Sequence, residues 1–322
     1  MVASWDAPIK DELRKVEETM VRSVETQQPL LTEIANHILT SGGKRMRPGV
    51  ALLAFRSVGG ADPDRVIQLA AAFELIHSAS LVHDDINDGA RTRRGHVSAY
   101  RKYGTQKAII TGDFLFVQGF RLGGILEIAE VIEIVADACQ RMAESEILQI
   151  QVEHDTHTPL EVYKDIIDGK TAEPIQASAR VGAYVGGGSA DHLIAFGNYG
   201  LNIGFAFQII DDILDIIGDE ADIGKPRGMD IVEGKPNLPI MLAMHDEKSG
   251  ARIRDIYQKG EKTRAEVEEA LALVKASGAV EAARKHANDL RDKAVAAIKD
   301  IEPSIYKDAL IALADSVVER KA

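Results

Sequence analysis

Apolar residues return every three or four positions along almost the whole chain. Val131, Ile134, Val135, Ala138 and Met142 mark one face of a helix in this way, and Val267, Ala270, Leu271 and Val274 mark another. The strict alternation that a half-buried strand requires is nearly absent, and aromatic residues make up only 5% of the chain. Helix boundaries are also written in. Thr263 and Glu266 have the spacing of a capping box, Gly278 stands where that helix should stop, and Asp62-Pro63 reads as an N-cap followed by proline at the first helical position. The chain is therefore expected to be all-α. No linker, solenoid repeat or low-complexity tract divides it, so one helical domain over residues 1–322 is the simplest organisation.

The longest break in the pattern is "GDEADIGKPRGMDIVEGKPNLPI", residues 218–240, which holds three of the ten prolines. Loops of this length inside a compact domain are usually functional. The N-terminal stretch alternates charge and lacks the marks of a signal or transit peptide. No uninterrupted apolar run approaches the roughly 18 residues of a bilayer span. The single cysteine, Cys139, forms no intramolecular disulfide and reads as a small buried residue. These features predict a cytoplasmic protein with at most a peripheral membrane contact. A net charge of -12 argues against nucleic acid as a partner, although local basic clusters remain able to take anions.

Two acidic clusters stand out. Asp84, Asp85 and Asp88 close one apolar segment, and Asp211, Asp212 and Asp215 repeat the same D-D-x-x-D spacing in another. Carboxylates four apart stack on one helix face and repel. Desolvating them beside apolar residues is costly without a counter-ion. An all-oxygen set without cysteine or histidine suits magnesium, manganese or calcium. An EF-hand starting at Asp84 fails, because Ile86 and Gly95 would occupy positions 3 and 12. Magnesium is typically held by one or two carboxylates plus substrate phosphates, so the aspartates amount to half a site. The complement is basic and flanked by glycine: Lys44, Arg45 and Arg47; Arg91, Arg93 and Arg94; Lys170 with Thr171; Lys225 and Arg227; and Lys235. Gly169-Lys170-Thr171 is not a P-loop, since Lys164 stands where the first glycine belongs. Gly186–Gly188 follow no strand, which leaves a dinucleotide fold unsupported.

In this order, "GGKRMRP", "ELIHSASLVHDDINDGARTRRG", "GDFLF", "GKTA", "FQIIDDILD" and "GKPRGMDIVEGKPNLP" resemble the all-trans polyprenyl diphosphate synthases over nearly the whole chain, geranylgeranyl and longer-chain enzymes included. The resemblance implies the isoprenoid synthase fold, antiparallel helices around a deep central cavity. It implies three Mg2+ ions that clamp an allylic diphosphate between the aspartate motifs. Asp84 and Asp88 would ligate two and Asp211 the third, with Asp85, Asp212 and Asp215 in support. Arg93, Lys170, Thr171, Gln208, Lys225 and Lys235 would contact the allylic diphosphate. Lys44, Arg47, His77 and Arg94 would hold isopentenyl diphosphate. Asp84, Asp88, Arg93, Lys170 and Asp211 would carry catalysis, and a homodimer is the assembly implied.

The chemistry expected is ionisation of the allylic diphosphate, attack by the double bond of isopentenyl diphosphate and loss of a proton. No protein nucleophile is needed. In this family the chain-length floor lies just upstream of the first motif, where short-product enzymes carry an aromatic five residues before the first aspartate. Here that residue is Ala79, followed by Ser80. Ile76, eight residues before Asp84, lies about 12 Å along the helix. Phe73, Phe114, Phe116 and Phe120 are deeper candidates. Products of at least twenty carbons are expected. A catalytically silent subunit would normally have lost an aspartate motif, and a terpene cyclase would carry a different second motif. Pro174, expected to kink its helix, and Asn237, in place of the usual Thr or Ser, depart from the family pattern.

Overall fold

The computed structural model describes residues 4–220 and 226–320. The chain packs as two compact units, each built from separate segments: residues 1–137, 174–197 and 298–312 in one, and 138–173, 198–297 and 313–322 in the other. The chain passes between them several times, which is why no linker is visible in the sequence.

Helices form nearly all the regular structure among the described residues. In the first unit the helix Asp64–Asn87 packs against Thr105–Gly124, Met46–Ser57 and Lys10–Ser23. Small residues make the tightest of these approaches possible. A Cβ on Gly119 would meet the Ile76 side chain at 2.6 Å and the Ala72 carbonyl at 3.0 Å, and one on Gly112 would meet His83 at 2.6 Å. Met46–Ser57 is apolar apart from Arg47, Arg56 and the terminal Ser57, and all of it but the two arginines is buried.

In the second unit, Arg264–Ala276 begins with the expected capping box, both reciprocal hydrogen bonds being present. Gly278 adopts a φ of +79° just beyond its end. Thr171 and Ala172 lie in a π-helical turn, Asp168–Ala172, directly before the helix Glu173–Val185. The wider turn carries the Glu173 N–H back to the Asp168 carbonyl, and Pro174 sits in the first turn that follows, where its missing N–H costs little. The expected kink is thus replaced by a change of helix type.

Three further expectations are corrected. The helix after Asp62-Pro63 starts one residue later, at Asp64, so Pro63 and not Asp62 is its N-cap; Asp62, one residue before, accepts the Asp64 N–H at 3.2 Å. The long loop is not wholly irregular, since it contains the short helices Met229–Glu233 and the start of Leu238–Ala243. Finally, Asp64–Asn87 and Ala190–Ile217 are long and apolar enough to cross a membrane by length and composition, which a search for uninterrupted runs misses. The apolar window of the first is 72% buried in protein, which accounts for its composition as a core helix.

Candidate active site

Asp84 and Asp85 are neighbours in sequence but 100° apart around their helix, and the structure gives them different surroundings. His77, Leu81, Asp84 and Asp88 follow the 4, 7, 11 spacing of one face. Asp84 and Asp88 are half-exposed there. Glu74, Ser78 and Asp85 mark a second, buried stripe. On it Asp85 accepts from Arg93 Nη2 at 2.6 Å and from Arg93 Nε at 2.8 Å. Burial pushes the Asp85 carboxyl up, and Arg93 opposes the shift. Glu74 accepts from Arg45 Nη1 at 2.9 Å, while the other arms of Arg45 reach Glu17 and the Leu39 carbonyl. Arg45 therefore braces the "GGKRMRP" turn.

The arginines after the first motif are placed by a feature the helical periodicity did not announce. Thr92–Arg93 and His96–Val97 form a two-stranded antiparallel hairpin. Its turn residues, Arg94 and Gly95, have φ of +52° and +79°, as a tight hairpin turn of the primed type requires. The turn directs the Arg94 guanidinium onto the Gly42 carbonyl. Gly43 makes room for it: a Cβ there would lie within 2.9 Å of three atoms of the guanidinium. Arg-Gly in "TRRGHV" was the available sequence signal.

Burial, and then the charges of Arg47, Arg94, Arg93 and Arg45, hold the His77 imidazole well below its ordinary value. Arg47 is itself pushed down to about 10 by burial, partly offset by Glu74. Its Nε is buried and has no hydrogen-bond partner. A cationic cluster with an orphaned buried donor is a place for an anion. Lys44 is exposed beside it. His77 supplies a pH test. The unfolded chain takes up a proton near pH 6.5 that the folded chain refuses, so stability falls as pH drops through about 6.5. Replacing His77 with Gln should flatten that part of a Tm-against-pH profile by as much as one proton.

In the second unit the balance of exposure is reversed. Asp211 is half-exposed and pairs with Arg320, whose guanidinium also lies 5.0 Å from the centre of the Phe207 ring. Asp212 and Asp215 are buried. Asp212 accepts from Tyr163 Oη at 2.7 Å, the Leu238 N–H at 2.9 Å and Gln208 Nε2 at 3.1 Å. Burial, then the nearby Asp230, pushes its carboxyl up, and the three hydrogen bonds it accepts oppose the shift. Asp215 accepts from the Asp230 N–H at 3.2 Å. Gln208 in turn accepts from Thr171 Oγ1 at 3.0 Å, so the "GKTA" and "FQIIDDILD" segments meet. Lys170 Nζ contacts Gln149 at 3.1 Å and pairs with Glu146. Lys235 pairs with Glu233 at 3.0 Å. Lys225 lies outside the described residues.

Asn237, buried completely, explains its own departure from pattern. Its Nδ2 donates to the Asp212 carbonyl at 3.1 Å and to Asp230 Oδ2 at 2.8 Å, and its Oδ1 caps the helix Leu238–Ala243. A hydroxyl has one proton and could not make both donations.

Of the chain-length candidates, Ala79 and Ile76 are buried and Ser80 is half-buried, its hydroxyl donating to the His77 carbonyl at 2.9 Å. Ile76 is turned toward Gly119. Phe73 is buried in the core, and the Phe116 and Phe120 rings meet at a 47° tilt with their centres 5.1 Å apart. Cys139 is only partly buried, and desolvation raises its thiol to about 11, which makes it unreactive. Tyr163, Glu74, Asp230 and Arg320 were not foreseen. Only Glu74, the one carboxylate in the apolar stretch between Arg65 and Asp84, gave a signal.

Among the described residues no three His, Cys, Asp or Glu side chains converge to hold a metal by themselves. The six aspartates nevertheless sort by exposure: Asp84, Asp88 and Asp211 are half-exposed, and Asp85, Asp212 and Asp215 are buried. That sorting fits ions completed by phosphate and water oxygens.

Comparison with known proteins shows the family. The sequence model of the family described as Polyprenyl synthetase matches residues 28–274. Octaprenyl diphosphate synthase of Haemophilus influenzae is 35% identical, with 96% of this chain and 94% of that protein covered. A short chain isoprenyl diphosphate synthase of Methanothermobacter thermautotrophicus is 38% identical over 90% of each. The crystal structure of polyprenyl synthase from Caulobacter crescentus CB15, complexed with calcium and isoprenyl diphosphate, superposes with a TM-score of 0.94 at 36% identity, covering 99% of this chain and 97% of that one. The chain has the isoprenoid synthase fold and belongs to the polyprenyl synthetase family, the trans-prenyltransferases that make prenyl diphosphates.

Proposed function

We propose that this chain condenses isopentenyl diphosphate with an allylic diphosphate, in a Mg2+-dependent reaction, to give all-trans prenyl diphosphates of about twenty carbons or longer. The observation that carries the metal assignment is the sorting of the aspartates by exposure. Asp84, Asp88 and Asp211 would hold three Mg2+ ions, while Asp85, Asp212 and Asp215 are buried and accept hydrogen bonds from the protein. The solved relative with calcium and isoprenyl diphosphate supports the same reading. Magnesium would supply the Lewis acidity that stabilises the departing diphosphate.

The chain's own residues would do the rest. Arg93, Lys170 and Lys235, with Thr171, Gln208 and Lys225, take the allylic diphosphate oxygens and neutralise charge as the carbon–oxygen bond breaks. In the resting protein Lys170 and Lys235 pair with Glu146 and Glu233, which keeps both ammonium groups compensated before substrate arrives. Lys44, Arg47, His77 and Arg94 hold isopentenyl diphosphate, where the unpartnered Nε of Arg47 gains an acceptor. The double bond then attacks the allylic cation, and the proton lost goes to the departed diphosphate. Octaprenyl and short-chain relatives are about equally similar, so overall likeness does not set product length. Ala79 supports the longer product, because it leaves no aromatic floor before the first motif.

Arg320 occupies a carboxylate assigned to metal. Replacing Arg320 with Met should lower the Mg2+ concentration for half-maximal activity several-fold. An unchanged requirement would separate this pair from metal binding. The whole chain is proposed to act as one catalytic domain, cytoplasmic and homodimeric; light scattering tests the last point. The reaction itself is tested by incubating the protein with isopentenyl and farnesyl diphosphates, with Mg2+ or with chelator. Consumption of both substrates only with Mg2+ is expected. Turnover in chelator, or none at all, would refute the proposal.

A further inference from the structure

Lys235 lies in the short non-helical link between Met229–Glu233 and Leu238–Ala243. A side chain on such a link is only as well placed as its backbone. The peptide group between Gly234 and Lys235 is planar, so the Gly234 carbonyl, the Lys235 N–H and both Cα atoms move together. Three hydrogen bonds fix that plane. The Lys235 N–H donates to the Asp230 carbonyl at 2.9 Å. The Gly234 carbonyl accepts twice, from Tyr257 Oη at 2.7 Å and from the His154 N–H at 2.8 Å.

The second and third of these come from segments remote in sequence that have no assigned role. Tyr257 is 2% exposed, at the end of the helix Gly250–Tyr257, so its hydroxyl must find a partner inside the protein. Its ring lies 6.5 Å from the His154 ring. His154 has a φ of +63°, unusual for a side-chain-bearing residue, and its ring fills the space where a Cβ on Gly234 would stand. Gly234 itself has a φ of +71°. Lys262 Nζ adds a third brace, donating to the Val232 carbonyl at 3.2 Å and to the Lys259 carbonyl at 2.6 Å. The hydrogen bonds from Tyr257, His154 and Lys262 to this link fall on the Gly234 and Val232 carbonyls, on the N-terminal side of Lys235.

We propose that Tyr257 is a positioning residue for Lys235, acting through the Gly234 carbonyl, with His154 and Lys262 completing the clasp. The inference rests on the reading that Lys235 contacts the allylic diphosphate. Tyr257→Phe keeps the buried ring and deletes one hydrogen bond. Loss of about tenfold in kcat/KM for the allylic substrate is expected, with the KM for isopentenyl diphosphate unchanged within twofold.

The decisive test is a double-mutant cycle with Lys235→Ala, read as allylic kcat/KM. If Tyr257 acts through Lys235, adding Tyr257→Phe to Lys235→Ala causes no further loss. Independent, multiplying losses would overturn the proposal. So would an unimpaired Tyr257→Phe beside an impaired Lys235→Ala, which leaves the allylic assignment standing. An unimpaired Lys235→Ala would overturn the allylic assignment and this inference with it. Should Tyr257→Phe fail to fold, Lys262→Met, at a half-exposed position, enters the same cycle with the same expectations.

Discussion

Asp84→Asn, Asp88→Asn and Asp211→Asn are each expected to lower kcat/KM by about 10³ at little cost in Tm, Asp211→Asn giving up a partly exposed pair with Arg320 worth about 0–1 kcal/mol. Asparagine keeps the shape of the side chain and removes the charge. At half-exposed positions that costs little packing, and Asp84→Asn or Asp88→Asn also relieves repulsion between like charges four residues apart. A loss of 10³ corresponds to about 4 kcal/mol of transition-state stabilisation, within the several kcal/mol that a metal ion supplies to a leaving group. The contrast is Asp212→Asn. There the carboxylate accepts from Tyr163, Gln208 and the Leu238 N–H, and an amide would turn a donor toward donors. The buried mismatch costs about 1–3 kcal/mol, so Tm should drop by several degrees. Steady-state kinetics and thermal melts on the four variants separate the two classes. Equal stability losses across all four would show that the exposed aspartates are structural as well.

Ala79→Phe is expected to shorten the product, from twenty or more carbons to about fifteen. Ala79 is 1% exposed on the helix that carries Asp84, and its Cβ leans toward the helix N-terminus, away from the aspartates. A growing chain anchored by its diphosphate near Asp84 and Asp88 would have to pass this position. Phenylalanine adds a ring where only a methyl group stands. Overpacking costs about 1–3 kcal/mol, so some loss of stability accompanies the substitution. Stability and product length are separable, because a merely unstable enzyme makes less of the same product. Chromatography of the dephosphorylated alcohols gives the answer, and an unchanged distribution would remove Ala79 from the chain-length path.

The elements that periodicity could announce were legible in the sequence: the long amphipathic helices, the capping box at Thr263 and Glu266, the stop at Gly278. So were the two aspartate motifs, because their spacing repeats and the cost of burying charge is general. The hairpin at Thr92–Val97 was not, since two-residue strands are too short to alternate. The π-helical turn before Pro174 was hidden for a related reason: a proline signals that helical bonding must change, not how. Least legible were pairs made across long separations. Asp212 with Tyr163, Asn237 with Asp230 and Asp212, and Gly234 with Tyr257 depend on tertiary packing, which no local pattern encodes. Asn237 shows the limit well. It was visible as a departure, but its two donations could be read only once its neighbours were in place.

Metal stoichiometry tests the central claim most directly. With Mn2+ as a spectroscopic stand-in and an unreactive allylic diphosphate analogue bound, the wild-type chain should hold three ions per subunit and Asp211→Asn two. Asp85→Asn should still hold three. Three ions in Asp211→Asn, or a count in wild type that does not depend on the diphosphate analogue, would contradict the account.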